Sequence, residues 1–397
     1  MMLLLAGCSG QGGSSSAPAK ADPTPKAQAQ DQAQATKMPD SMKTETKSQA
    51  ELRKVQAVLN SMTLDQKLGQ LLTVEYKGNN YEDSGLHFMV SQQFIGGYYY
   101  QTVNGNFDPP YNQISNLAAF SHQAQQDAKI PLLIGTDQEG GLVSRLETFH
   151  GPLPSAQDMG ASGNPSYAYN QGKQWAIWMR ELGMNTDLAP VVDVQTVDPP
   201  VLASRMFGRS SKTVSTYAGA FIDGLQQNHV LGCLKHFPGL GSINSDPHFG
   251  LPTVNRSKAD LENIDFAPYK TMLKKNNPAM VMVTDVLDPA LDPKLPAELS
   301  PKTVNGILRG ELGYNGVVFS DDLNMGGISQ TWNLSQATVL SLVAGVDMIE
   351  GPFNPHDVAT IVTGLKQALQ SGQLTQARID LSVQRILLMK LRFGMLS

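Results

Sequence analysis

Short apolar runs alternate with amphipathic stretches from about residue 51 to the end of the chain, and this rhythm limits the fold more than any other feature. Eight runs have strand length and are rich in β-branched residues: Leu71–Val74, Ile95–Tyr100, Pro131–Thr136, Asp187–Val194, Val230–Leu234, Met280–Thr284, Gly316–Ser320 and Val346–Ile349. Between them lie helical candidates such as Ile114–Ala128, Tyr167–Leu182, Lys212–Gln227, Lys258–Lys274 and Asn333–Ala344. Strands that alternate with helices pair in parallel through crossover helices. Eight such units predict a single (β/α)8 barrel of the TIM type. The stretch Ile379–Phe393, with Leu381, Val383, Ile386, Leu387 and Leu391, reads as a closing amphipathic helix. No linker-like composition interrupts residues 51–397, which argues for one domain there.

Composition supports a packed core, with 41% hydrophobic and 16% charged residues. The net charge of −5 is mild and carries no signature of nucleic-acid binding. Two cysteines cannot form a disulfide framework, so the fold must rest on its hydrophobic core. Cys233, inside an apolar run, reads as a small buried hydrophobe.

The N-terminus has a different texture. Leu5-Ala6-Gly7-Cys8, after an apolar start, resembles the bacterial lipobox, in which the chain is cut before the cysteine and the new terminus carries lipid. Residues 1–8 then read as the remnant of a lipoprotein signal, with Cys8 as the lipidation site. Residues 9–50 are rich in Ser, Ala, Gln, Pro, Lys and Thr and read as a disordered polar tether, because they cannot bury enough surface to offset their ordering entropy. A membrane surface, reached through that anchor, and a location outside the cytoplasm are the corresponding expectations. No protein partner is implied.

Several apolar runs end in polar residues: Asp137 after the third, Lys235 and His236 after the fifth, Asp285 after the sixth and Asp321 after the seventh. Barrel enzymes build their sites at those C-terminal strand ends, where side chains from many strands converge. In Lys235-His236-Phe237-Pro238-Gly239-Leu240-Gly241 the strand delivers an amine and an imidazole, and the Pro and Gly residues then force an abrupt loop. Asp246 and His248 are close enough in sequence for the carboxylate to orient the imidazole, which suits a general acid/base. On residue types alone this segment fits catalysis, a zinc site using His236, Asp246 and His248, or an ordinary surface loop. Asp321 and Asp322 end another run, where alternation sends one side chain into the mouth and the other away. Asp321 fits a capping or ion-pairing role, or a carboxylate that attacks an anomeric carbon.

The string from Lys235 to His248 closely resembles the signature of the β-N-acetylhexosaminidase branch of glycoside hydrolase family 3. Asp137-Gln138-Glu139-Gly140-Gly141 with Arg145, Arg205-Met206-Phe207-Gly208, and Ser320-Asp321-Asp322-Leu323-Asn324-Met325 resemble further family segments. The resemblance covers roughly residues 55–397. It implies hydrolysis of terminal β-linked N-acetylhexosamine with retention, Asp321 as nucleophile, and His248 as acid/base assisted by Asp246. It also implies Asp137, Arg145, Arg205, Lys235 and His236 as ligands of the carbohydrate substrate, with no metal or organic cofactor. Pro247 stands where the signature has Ser or Thr, and Asp285 where the branch often has His. Peptidoglycan fragments and chitooligosaccharides are both implied substrates. A family 3 phosphorylase or β-glucosidase, acetamido-assisted hydrolysis on Asp321-Asp322, and an inactive sugar-binding lipoprotein are the alternatives.

Overall fold

A computed structural model describes residues 46–198, 203–243 and 250–396. Eight strands, β1 Leu72–Val74, β2 Gly97–Tyr99, β3 Leu133–Thr136, β4 Thr186–Asp187, β5 Leu231–Phe237, β6 Met280–Val283, β7 Val317–Asp322 and β8 Met348–Glu350, follow one another around a closed barrel. Every neighbouring pair is parallel, and β8 closes on β1 through Leu72 opposite Ile349. The predicted (β/α)8 class therefore holds.

The fourth apolar run differs from expectation. Only Thr186–Asp187 forms regular ladder, since Pro190 has no N–H to donate. The backbone nonetheless follows β5: Cys233 N donates to Ala189 O (2.8 Å), Lys235 N to Pro190 O (3.2 Å) and Val192 N to Lys235 O (2.6 Å). Conversely, β5 and β7 run further than their apolar stretches. Lys235, His236 and Asp321 lie within strands instead of following them.

The helices start where their caps dictate. Ile114–Asp127, Pro165–Glu181, Ser211–Gln226 and Leu334–Ala344 match the predicted segments to within a few residues. Asn164 caps the second, with Pro165 in its first turn, and an Asn333/Gln336 capping box opens the fourth. The Lys258–Lys274 segment is helical throughout, with a π turn at Leu261–Asp265. Helix Gln376–Arg392 buries Ile379, Val383, Ile386 and Leu387, but Leu381 is on its outer face. Helix Lys47–Ser61 begins inside the stretch that composition assigned to the tether. Its Thr46/Gln49 capping box satisfies the first-turn N–H groups, and Val55 and Leu59 bury against the barrel. Among the described residues no helix is long and apolar enough to cross a membrane.

Cys233 is fully buried, and its surroundings push the thiol well above its ordinary pKa, as a small core group requires. At the end of the barrel opposite the polar strand ends, Asp347 is fully buried just before β8. It accepts from Arg309 Nη2 (2.6 Å), Arg385 Nη1 (3.2 Å), Arg378 Nη1 (3.4 Å), Ser382 Oγ (2.6 Å) and Val318 N (3.1 Å). The three guanidiniums hold its carboxyl below the usual range. One carboxylate thus joins β7, β8 and the C-terminal helix. Asp347→Asn leaves buried guanidiniums without their counter-charge. Urea unfolding should show it less stable by about 3 kcal/mol at neutral pH.

Candidate active site

Six of the eight strands bring polar side chains at or just after their C-terminal ends to a cavity of about 510 Å³. Glu75, Gln101 and Asp137 follow β1, β2 and β3; Lys235 and His236 lie in β5; Asp321 and Asp322 end β7, and Glu350 ends β8. All six predicted site residues among those described, Asp137, Arg145, Arg205, Lys235, His236 and Asp321, line this one cavity. Asp246 and His248 lie outside the described residues, as does Cys8.

Loop geometry brings the distant members in. After β3, Gly140 adopts φ +82°, and a Cβ there would fall 2.0 Å from Pro154 O. Only glycine fits this reversal, which bridges Gly140 to Val143 and returns Arg145 towards the mouth. After β5, a Cβ on Gly241 would lie 1.9 Å from Val194 O, and Gly241 O accepts from Thr196 N at 2.8 Å. The loop after β5 is thereby held against the loop after β4.

The charged groups form a continuous chain around the mouth. Lys235 Nζ donates to Asp137 Oδ1 (2.6 Å) and lies 2.8 Å from Glu139 Oε1. Arg205 grips Glu139 with two bonds, Nε to Oε2 (2.6 Å) and Nη2 to Oε1 (2.8 Å). Arg205 Nη2 is also 3.3 Å from His236 Nε2, whose Nδ1 meets Asp193 Oδ2 at 2.7 Å. Asp193 Oδ1 accepts from Leu240 N (2.9 Å), which ties the imidazole's orientation to the loop after β5. On the other side Gln101 Nε2 donates to Asp137 Oδ2 (2.6 Å) and Glu75 Oε1 (3.3 Å). Gln101 Oε1 accepts from Arg145 Nε (3.2 Å) and Nη2 (3.0 Å).

Electrostatics follow from these contacts. Burial penalises the charged forms of Asp137 and Glu139, but Lys235, with Arg145 for Asp137 and Arg205 for Glu139, outweighs it and holds both carboxyls below their usual range. Burial also works against the Lys235 ammonium, and Asp137 and Glu139 outweigh that in turn, pushing its pKa up.

Around β6 and β7 the chemistry is acidic. Thr284 Oγ1 donates to Asp321 Oδ2 at 2.5 Å, and Asp321 N donates to Glu298 Oε2 at 3.1 Å. Burial, then the charge of Asp321, pushes Asp285 up to about 9. Burial likewise drives Glu298 well above the carboxylate range, with Asp285 and Asp321 adding to it. Burial thus works against the charged form of both groups beside Asp321. Strict alternation would have sent Asp322 away from the mouth, yet it lines the cavity with Asp321. The ladder to β8 shifts register between Phe319 and Asp322, which breaks the alternation. A register shift between Leu234 and Phe237 accompanies the same outcome for Lys235 and His236.

With that geometry in view, the comparisons with known proteins are specific. The sequence model of the Glycosyl hydrolase family 3 N terminal domain matches residues 63–389. The chain belongs to glycosyl hydrolase family 3. Beta-hexosaminidase LpqI of Mycobacterium tuberculosis is 38% identical over 269 residues, 66% of this chain and 68% of the relative. A family 3 beta-N-acetylglucosaminidase from a Paenibacillus species superposes with a TM-score of 0.80 at 33% identity, over 84% of this chain and 63% of that one. A beta-glucoside phosphorylase, BglX, superposes with a TM-score of 0.74 at 25% identity, over 89% of this chain and 62% of that one. This chain thus spans a little under two thirds of those two solved chains. Within family 3 it falls on the β-N-acetylhexosaminidase branch, and it is a glycoside hydrolase.

Sequence reasoning missed several members of this family 3 site. Glu139 sits inside a quoted motif and partners both Arg205 and Lys235. Gln101, Asp193, Thr284, Glu298, Glu75 and Glu350 stand in no such motif, although Glu75, Gln101 and Glu350 directly follow apolar runs, Thr284 closes one and Asp193 lies within one. Among the described residues no group of His, Cys, Asp and Glu is arranged to hold a metal ion, and of the three residues weighed as zinc ligands only His236 is described.

Lys235→Met tests the pairing. Asp137 loses its nearest cation, so the variant should be about 3 kcal/mol less stable to urea at pH 7. The low pKa of Asp137 adds stability above the ordinary carboxylate range, and that stability is lost as pH falls through the depressed value. In the variant the carboxyl takes up a proton sooner. The deficit should therefore shrink between about pH 7 and pH 4.

Proposed function

We propose that this family 3 chain is a retaining, exo-acting β-N-acetylhexosaminidase that releases terminal β-linked N-acetylglucosamine through a covalent intermediate on Asp321. The observation that carries the reading is Asp321 itself. It ends β7 in the cavity wall, one oxygen held by Thr284 and its backbone N–H held by Glu298, and it shares that cavity with the Lys235–Asp137–Glu139–Arg205 chain. A fixed carboxylate and a preorganised set of charged hydrogen-bonding groups meet the two demands of glycosyl transfer, nucleophilic attack and retention of the sugar.

In the first step an Asp321 oxygen bonds to C1 as the bond from C1 to the leaving oxygen breaks, and His248 gives that oxygen a proton. In the second, His248 takes a proton from water, the water oxygen bonds to C1, and the Asp321–C1 bond breaks with the β configuration restored. Asp246 orients His248. Asp137, Arg145, Arg205, Lys235 and His236 hold the sugar's hydroxyl and acetamido groups. Terminal N-acetylglucosamine of peptidoglycan fragments or chitooligosaccharides supplies this chemistry, and the lipobox-like Leu5–Cys8 supports action outside the cytoplasmic membrane on a lipid tether.

A 2-fluoro glycoside with a good leaving group should label Asp321, as read by peptide mass mapping, and Asp321→Asn should lower kcat/KM on an aryl β-N-acetylglucosaminide at least about a thousandfold. A label elsewhere overturns the assignment. The BglX likeness makes phosphate the competing acceptor. Release of free sugar at the same rate with and without phosphate supports hydrolysis, and formation of a sugar 1-phosphate overturns it. For the anchor, Cys8→Ala should move the protein from the membrane pellet to the soluble fraction of cells. Unchanged partitioning rejects lipidation at Cys8.

A further inference from the structure

The segments that follow β8, β1 and β2, three consecutive strands of the closed barrel, form one side of the rim of the family 3 cavity and bring Phe353, Lys77 and Val103 to its lining. Glu139, Lys235 and His236 are buried deeper in the same cavity, whereas Lys77 is exposed and Val103 is 87% exposed. A cavity that takes the end of a glycan holds the terminal sugar inside and leaves the rest of the chain at the opening. This rim therefore faces the part of the substrate that departs.

Lys77 is held in place from both sides. Asn106 Nδ2 donates to Tyr76 O (3.1 Å) and Gly78 O (2.7 Å), the carbonyls of its two neighbours, and Gly78 N donates to Asn104 O (2.7 Å). Glu75 N donates to Pro352 O (3.2 Å), which ties the same segment to the one after β8, and Phe353 N donates to Asp357 Oδ2 (3.0 Å). On this framework the Lys77 ammonium sits over the Phe353 ring, 5.0 Å from its centroid.

The other basic groups of the cavity are already engaged: Lys235 on Asp137 and Glu139, Arg205 on Glu139, and Arg145 on Gln101. Among the described residues Lys77 has the aromatic ring and no hydrogen bond or ion pair. A fixed backbone, an aromatic seat and an ammonium without a counter-charge at the opening suit an incoming anion. Carboxyl groups outnumber basic ones along the lining as a whole, so an anion is disfavoured on the retained sugar and belongs on the leaving part.

We propose that Lys77, seated on Phe353, is a specificity residue that selects substrates whose leaving part carries a carboxylate. The proposal rests on the exo-acting function above for which part of the glycan leaves. Of the two glycan classes named there, peptidoglycan fragments carry carboxylates and chitooligosaccharides do not, so the subsite favours peptidoglycan fragments.

The test pair is the β-linked disaccharide of N-acetylglucosamine and N-acetylmuramic acid and its lactyl amide, which share a scissile bond and differ by one charge. An exposed ion pair is modest in strength, so wild-type kcat/KM should be about fivefold higher on the acid at low salt. The ratio should fall below about twofold in about 0.5 M NaCl, where such a pair is screened. Lys77→Gln should bring the ratio to about one, Lys77→Glu should invert it, and Lys77→Arg should keep it near the wild-type value. A wild-type ratio near one, or a ratio that Lys77→Gln leaves unchanged, overturns the subsite. The wild-type ratio and its salt dependence decide the question even if a variant fails to fold. Inertness on both members overturns the function proposed above instead, and the same acid-to-amide ratio on the β-glycoside that the enzyme does cleave still decides the subsite.

Discussion

A lysine ammonium removed from water has to be matched by negative charge, and much of the mouth of this barrel is organised around that requirement. Lys235, its side chain 3% exposed, is matched by Asp137 and Glu139 from the segment after β3. Each carboxylate then has a free oxygen or edge to direct elsewhere. Asp137 fixes Gln101, and Gln101 fixes Arg145. Glu139 fixes Arg205, and Arg205 reaches His236, which Asp193 turns. Strand ends far apart in sequence are cross-linked by side chains, so the groups around the cavity are already oriented before any ligand arrives.

The opposite side of the cavity solves a different problem. Asp285 and Glu298 cluster near Asp321 without basic partners of their own, and burial together with neighbouring charge pushes both carboxyls up, Asp285 to about 9. Asp321 is therefore flanked by carboxyls whose charged form burial disfavours, with Thr284 donating to one of its oxygens. The cavity thus combines a paired ionic arc with an acidic arc in which burial disfavours the charged forms of Asp285, Glu298 and Asp322. Glu75 and Glu350 continue the second arc to where Gln101 joins it to the first. Both arcs are made affordable by the packed shell beneath them, where Asp347 and its arginines close the far end of the barrel.

Much of the architecture was legible because period and length are local properties. Runs such as Met280–Thr284 and Gly316–Ser320 had the length and β-branched content of buried strands, and the structure pairs them in order. Helix Pro355–Ser371 went unread although Asn354 and Pro355 form an N-cap signal and Val358, Ile361 and Leu365 recur at helical spacing. The Asp187–Val194 run was over-read as a strand, because apolar content does not reveal where Pro190 interrupts a ladder. Leu381 was read into the buried face of its helix because hydrophobicity alone does not say which side meets the barrel.

The sequence by itself determined the barrel class and the residues most specific to family 3, since strand and helix periods and a long motif are written in contiguous residues. It also placed Asp137, Lys235, His236 and Asp321 at strand ends, where a parallel barrel gathers its chemistry. Only the tertiary structure decided that Glu139 bridges Lys235 and Arg205, that Gln101 joins Asp137 to Arg145, that Asp193 orients His236, and that Asp322 shares the cavity with Asp321. The physical reason is that charge pairing and register shifts depend on which side chains meet across different strands. Those meetings are set by barrel closure, which no contiguous stretch of the chain encodes.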